Sequence, residues 1–186
     1  MLELVIGGAR SGKSAYAEQC ALEFSNQNTS SAASSVFFIA TATAGDEEME
    51  TRIQHHKASR PNNWQTLEEP VKLAEALKEA NKKSGFIIVD CLTLWLTNLL
   101  ALNDKQRQSE IDALFASLSE LTSPVIFVTN EIGSGVVPMG KETRWFVDEA
   151  GRLHQRLAAK CQRVTQMIAG IPNRIKNESD NDESKN

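Results

Sequence analysis

Gly7-Gly8-Ala9-Arg10-Ser11-Gly12-Lys13-Ser14 fits G-x-x-x-x-G-K-[ST], the spacing of a phosphate-binding P-loop. Its surroundings fit as well. The apolar run Leu2–Ile6 leads in as a short buried strand, and a helical pattern carried by Ala15, Tyr16, Cys20 and Leu22 leads out. Glycines let consecutive backbone N–H groups turn toward one point, and a helix N-terminus adds partial positive charge there. Lys13 is placed to reach β- and γ-phosphates, and the Ser14 hydroxyl to bind Mg²⁺. The plainer reading, a glycine-rich turn joining two elements, leaves the lysine and the hydroxyl unexplained.

Outward from this loop, strand and helix signals alternate along the chain. Strands are predicted at 2–6, 36–40, 86–89, 125–128 and about 164–169. Helices are predicted at 13–24, about 46–59, 70–82, 92–102, 109–121 and about 141–161, with polar breaks at 26–35 and 103–108. This alternation predicts an α/β fold of the P-loop NTPase type, a mostly parallel central sheet flanked by helices (RecA-like). Residues 1–176 read as one nucleotide-binding domain, and the acidic stretch 177–186 as a disordered tail.

The 186 residues carry a formal net charge of −4. The last ten residues hold four acids and one lysine, so the body of the chain is nearly neutral. That gives no electrostatic case for nucleic acid or an anionic membrane. The apolar runs are too short for a transmembrane segment, and no signal peptide precedes the first strand. Three separated cysteines, Cys20, Cys91 and Cys161, form no C-x-x-C pair. The expectation is a reduced, cytoplasmic setting.

Other groups suit a phosphate site. Phe86-Ile87-Ile88-Val89-Asp90 is a strand ending in an acid, where ligands of open α/β sheets bind. Asp90 can hold Mg²⁺ as a Walker B acid or simply cap the following helix. Thr41-Ala42-Thr43 and Thr129-Asn130-Glu131 follow strands and can meet phosphate or ribose, or a γ-phosphate. His55-His56 lies late in a predicted helix, where neighbours point about 100° apart, so the two cannot share one task. His56 falls on the face of Ile53 and Met49, and His55 on that of Arg52 and Glu48. Either is a packing residue or a nucleophile toward an α-phosphate, with Lys57 and Arg60 as cations beside it.

Several of these segments together resemble the bifunctional adenosylcobinamide kinase/adenosylcobinamide-phosphate guanylyltransferase family of cobalamin biosynthesis. They are the P-loop, Ile39-Ala40-Thr41-Ala42, Arg52-Ile53-Gln54-His55-His56-Lys57 running to Arg60-Pro61 and Trp64, Asp90-Cys91-Leu92-Thr93 with Thr97-Asn98-Leu99-Leu100, Val128-Thr129-Asn130-Glu131-Ile132-Gly133, and Ala150-Gly151-Arg152. The resemblance spans about residues 1–176. It implies that ATP or GTP phosphorylates the aminopropanol hydroxyl of adenosylcobinamide. It further implies that GTP then donates GMP through a guanylyl-histidine, mapped to His56 with His55 as the fallback. By the same mapping Thr41, Ala42, Thr43, Lys57, Ala58, Ser59, Arg60 and Glu68 contact the nucleotide. The resemblance also implies a homotrimer and a mobile histidine helix. The serine-rich stretch 29–35 and the acidic tail depart from the family pattern. A simple P-loop small-molecule kinase and a GTP-binding switch protein remain as alternatives. The missing N-K-x-D guanine reader counts against the switch.

Overall fold

Side chains of the central strands divide by parity, and that division builds the molecule. In a computed structural model, Phe37, Ile39, Ile87, Val89, Val125 and Phe127 point to one face of the sheet, while Val36, Phe38, Phe86, Ile88, Ile126 and Val128 point to the other. Successive strand residues face opposite ways, so runs apolar at every position need cover on both sides. The structure describes residues 1–28, 35–42, 60–61, 63–135 and 139–178.

Seven strands form one sheet in the order β3-β2-β4-β5-β1-β6-β7. They are β1 (Leu2–Gly7), β2 (Val36–Ala40), β3 (Gln65–Glu68), β4 (Phe86–Asp90), β5 (Val125–Asn130), β6 (Arg163–Ile168) and β7 (Ile171–Asn177). All neighbours are parallel except β6 and β7. On one face lies α1 (Lys13–Gln27), its Ala17 and Ala21 buried against β4, β5 and β1. The opposite face is covered by α2 (Leu73–Asn81), α3 (Leu92–Leu99), α4 (Asp104–Ser117) and α5 (Lys141–Lys160). The parallel register brings the ends of five strands to one edge: Gly7 pairs with Asn130, and Ala40 with both Asp90 and Glu68. Among the described residues no helix is long and apolar enough to cross a membrane.

The expected fold class stands, with local corrections. Two strands escape the sequence reading. In β3, Gln65, Thr66 and Glu68 are exposed on an edge, so no alternation marks it. β7 holds Pro172, Asn173, Arg174 and Lys176, and proline is tolerated on an edge strand. It is joined to β6 by Ala169 and Gly170, both at positive φ (52° and 82°), which is a two-residue hairpin turn. Because β7 runs to Asn177, and the Glu178 N–H bonds the Gln162 carbonyl, the chain is structured two residues past the expected start of the tail. The polar stretch 104–108 is helical. Asn103 and Gln106 form a capping box that starts α4 there, and the polar residues lie on its outer face. The other expected helices begin or end a few residues from the prediction: α2 starts at Leu73, α3 ends at Leu99, and a 3₁₀ turn covers Leu118–Glu120. The expected helix at 46–59 lies outside the described residues, as does the tail beyond residue 178.

Trp95 shows how closely the covered face is specified. It is fully buried in the larger core, and its indole N–H donates to the Val71 carbonyl at 2.8 Å. Trp95→Ala should cost about 3–5 kcal/mol of unfolding free energy, read from the urea midpoint. Trp95→Phe, which keeps one aromatic ring but loses the pyrrole half and the bond, should cost about 1–3 kcal/mol.

Candidate active site

The strand-to-helix turn at residues 7–14 has the shape its glycines require. Gly7 ends β1, and a Cβ there would lie 2.5 Å from the Met167 carbonyl oxygen and 2.8 Å from Ser11 Oγ. Gly8, Ala9 and Arg10 are exposed, whereas Ser11 and Lys13 are buried. Arg10 and Gly12 take positive φ, 54° and 94°, and Gly12 leads directly into α1. The first N–H groups of α1 lack intrahelical acceptors by construction and make an anion-binding end. The β6–β7 turn braces the loop from behind: the Gly170 N–H donates to the Ser11 carbonyl at 3.0 Å.

Lys13 spans the turn, its ammonium donating to the Gly8 carbonyl at 2.5 Å and lying 3.4 Å from Ser11 Oγ. Burial lowers its pKa, and Asp90 opposes that shift. Ser14 donates from its hydroxyl to Asp90 Oδ2 at 2.6 Å. The P-loop hydroxyl and the acid that ends β4 therefore meet, although 76 positions separate them. Both are hard oxygen donors, the set that suits Mg²⁺ held by one or two protein groups. Together with Asn130 from β5 they border a cleft of about 540 Å³, within the range of nucleotide-sized sites.

Thr41 is fully buried, and its hydroxyl is engaged by backbone. It donates to the Cys91 carbonyl at 2.7 Å and accepts from the Cys91 N–H at 2.9 Å. The Asp90–Cys91 peptide is cis, and Thr41 clamps the residue that follows Asp90. Asn98 on α3 secures the arrangement by donating to the carbonyls of Thr41 and Pro70. Ala42 follows Thr41 half-buried. Arg60 lies with its guanidinium 3.4 Å from the centre of the Phe38 ring and its Nε 3.8 Å from Glu18 of α1. That separation is an ion pair longer than a hydrogen bond. Burial lowers the Arg60 pKa, and Glu18 and then Asp90 oppose the shift. Glu68 is exposed at the end of β3. Thr43, His55, His56, Lys57, Ala58 and Ser59 lie outside the described residues.

One supporting cluster is absent from the sequence reading. Glu3, buried in β1, accepts from Tyr16 of α1 at 3.0 Å and from Thr165 of β6 at 2.7 Å. It ties the first turns of α1 to the sheet beneath. The available signal is an acid inside an otherwise apolar strand, a position that requires partners.

Two outcomes follow from this packing. Thr41→Val leaves the Cys91 N–H and carbonyl without their partner and should lower stability by about 1–3 kcal/mol in denaturant unfolding, while Thr41→Ser should restore most of it. Burial pushes the Cys91 thiol up to about 11, with Asp90 adding to it, and the Cys161 thiol up to about 12. At pH 8 both should therefore remain thiols and react far more slowly with iodoacetamide in the native protein than in urea.

Residues 3–175 match the family described as "Cobinamide kinase / cobinamide phosphate guanyltransferase". Over 179 residues the chain is 50% identical to "Bifunctional adenosylcobalamin biosynthesis protein CobP" of Pseudomonas aeruginosa, an overlap covering 96% of this chain and 99% of that protein. It is 37% identical to "Bifunctional adenosylcobalamin biosynthesis protein CobU" of Salmonella typhimurium and 35% identical to the Escherichia coli protein of the same name. Each of these two overlaps covers 95% of this chain and all of the relative. A match this extensive carries one conclusion: the chain belongs to the cobinamide kinase/cobinamide phosphate guanyltransferase family.

Proposed function

We propose that this protein phosphorylates adenosylcobinamide and then transfers GMP from GTP to the product, giving adenosylcobinamide-GDP. The observation that carries the reading is the Ser14–Asp90 contact at the mouth of the P-loop, in a chain that belongs to this family along nearly its whole length. In the first reaction the aminopropanol hydroxyl oxygen bonds to the γ-phosphorus of ATP or GTP, the nucleoside diphosphate leaves with the electron pair of the broken P–O bond, and the hydroxyl proton passes to water. The amides of residues 8–14 and the Lys13 ammonium hold the β- and γ-phosphates in line and offset the charge that develops. Ser14 and Asp90 would hold Mg²⁺, which would supply positive charge to offset that of the phosphates.

In the second reaction an imidazole nitrogen attacks the α-phosphorus of GTP and pyrophosphate leaves, forming a guanylyl-histidine. A phosphate oxygen of adenosylcobinamide phosphate then attacks the same phosphorus and releases the imidazole. We assign that nucleophile to His56, with His55 as the alternative. Ala42, Thr43, Lys57 to Arg60 and Glu68 are assigned to the nucleotide, and Thr41, the remaining residue of that expected set, supports them from beneath through the Cys91 backbone. Residues 1–176 form the single catalytic domain on this reading. The protein works in the cytoplasm as a homotrimer, and neither nucleic acid nor membrane is a partner.

The test uses GTP labelled at its α-phosphate. Wild-type protein should acquire a label that is acid-labile and base-stable, and His56→Ala should abolish both label and guanylyl transfer while phosphorylation of adenosylcobinamide continues. Loss of label in His55→Ala alone would transfer the assignment to that residue. A wild-type protein that never labels would leave a kinase in which the histidines only pack. Lys13→Ala should lower both reactions by about a hundredfold or more.

A further inference from the structure

His154, on α5, is a histidine for which the proposed reactions have no use. It is half-buried, and its Nε2 lies 2.8 Å from Thr129 Oγ1. Thr129, fully buried near the end of β5, lies in turn 3.2 Å from Thr93 Oγ1 in the first turn of α3. Thr93 Oγ1 accepts the Asn130 N–H at 2.7 Å. The last bond has a topological cause. β4 stops pairing with β5 at Asp90↔Val128. The next β5 donor toward that side, Asn130 N–H, would lose its ladder partner where β4 turns into α3. An orphaned donor is costly, and Thr93 supplies the oxygen that β4 no longer provides.

The hydroxyls can be ordered head to tail. Thr93 accepts from Asn130 and can pass its own proton to Thr129, whose proton then meets a ring lone pair. All bonds run the same way only if Nε2 is an acceptor, which requires a neutral imidazole carrying its proton on Nδ1. Burial lowers the pKa of His154, against the opposing charge of Glu131, and favours that neutral form. At its other end the chain reaches the site. Asn130 pairs with Gly7, the first residue of the P-loop, the Glu131 N–H donates to the Gly7 carbonyl at 2.9 Å, and Asn130 borders the phosphate cleft.

We propose that His154 is a positioning residue for phosphoryl transfer: its Nε2 terminates the relay Asn130 N–H to Thr93 to Thr129 to His154 and thereby fixes the end of β5 against the P-loop. The kinetic part rests on the function proposed above; the structural part does not. His154 touches neither nucleotide nor corrinoid in this role. It sets where the Asn130 backbone and side chain stand when a phosphate occupies the cleft.

The experiment compares wild-type protein with His154→Leu, His154→Gln and Thr129→Val, all as the full chain. A glutamine amide oxygen reaches about as far as Nε2 and can accept the same bond, whereas leucine cannot. Two readouts are taken, hydrogen exchange at the Asn130 amide by NMR and steady-state ATP-dependent phosphorylation of adenosylcobinamide. Exchange at Asn130 should speed up about tenfold or more in His154→Leu and in Thr129→Val, and return toward wild type in His154→Gln. Among the variants kcat should fall about tenfold in the first two, with the nucleotide KM within about threefold of wild type, as expected when alignment rather than binding is lost. In the wild type the His154 ring, identified as the resonance missing from His154→Gln, should show an unprotonated Nε2. Unchanged Asn130 exchange in both His154→Leu and Thr129→Val, or a protonated Nε2, would overturn the relay. If His154→Leu does not fold, Thr129→Val breaks the same chain one link nearer the site and is read in the same way. Wild-type protein inactive toward adenosylcobinamide would remove the functional reading, and the relay would still be decided by the exchange and ring measurements.

Discussion

The hydroxyl of Ser14 and the carboxylate of Asp90 meet at 2.6 Å, and most of the structure can be read as what makes that meeting hold. Ser14 stands in the first turn of α1, on one face of the sheet, and Asp90 at the end of a strand that is not a neighbour of β1. The distance between them is set by three things: how far β1 and β4 run before they turn, the strand between them, and how α1 lies on all three. The register settles the first, since Gly7, Asp90, Asn130 and Ala40 finish at one edge. Alanines at 17 and 21 settle the last by letting α1 approach the sheet closely. A short contact between side chains so far apart in sequence thus reports that the whole α1 face is correctly assembled.

Fixing that edge requires polar groups in places where apolar ones would pack more simply. Glu3 in β1, Thr41 after β2 and Thr129 near the end of β5 are all fully or nearly fully buried, and each carries hydrogen bonds that link neighbouring elements. A buried polar group without partners costs free energy, so each admits few local arrangements. Apolar packing specifies a volume, whereas these bonds specify directions. An edge that must aim an acid, a hydroxyl and a row of amides at one phosphate chain needs the second kind of constraint.

The sequence reveals the fold class because its signals are local. The strand–loop–helix about residue 7, the acid that ends β4, and apolar runs separated by amphipathic helices need no knowledge of the tertiary arrangement. β3 and β7 stay hidden for the opposite reason: edge strands bury little, so polar residues and a proline carry no penalty there, and only pairing with β2 and β6 makes them strands. The Ala169-Gly170 turn between two isoleucines is the single local hint of the hairpin. Within the site the legible residues are those whose chemistry is tied to a fixed spacing, Gly7 to Ser14 and Asp90. Thr41 is legible as a polar residue at a strand end but not as a clamp on Cys91, because that role depends on which backbone lies opposite it 50 positions away. Arg60 reads from sequence as a phosphate cation, and its stack on Phe38 beside Glu18 follows only from the tertiary placement of α1 on the sheet.

Two reactions at one cradle pose a selection problem. As proposed above, phosphorylation breaks a bond at the γ-phosphorus and guanylyl transfer one at the α-phosphorus, with the P-loop gripping the triphosphate for both. On the proposed reading, the groups that hold phosphate do not select between the two; selection belongs to whatever brings a nucleophile to one phosphorus or the other. The imidazole assigned that task lies between Ala42 and Arg60. The residues at both ends of that segment are anchored to the nucleotide-binding half: Thr41 through the Cys91 backbone that follows Asp90, and Arg60 through Glu18 on the helix that carries Lys13 and Ser14. The proposed roles then divide between a directional rim that holds the phosphates and a histidine that attacks, so that one set of amides, one lysine and one acid would serve two different leaving groups.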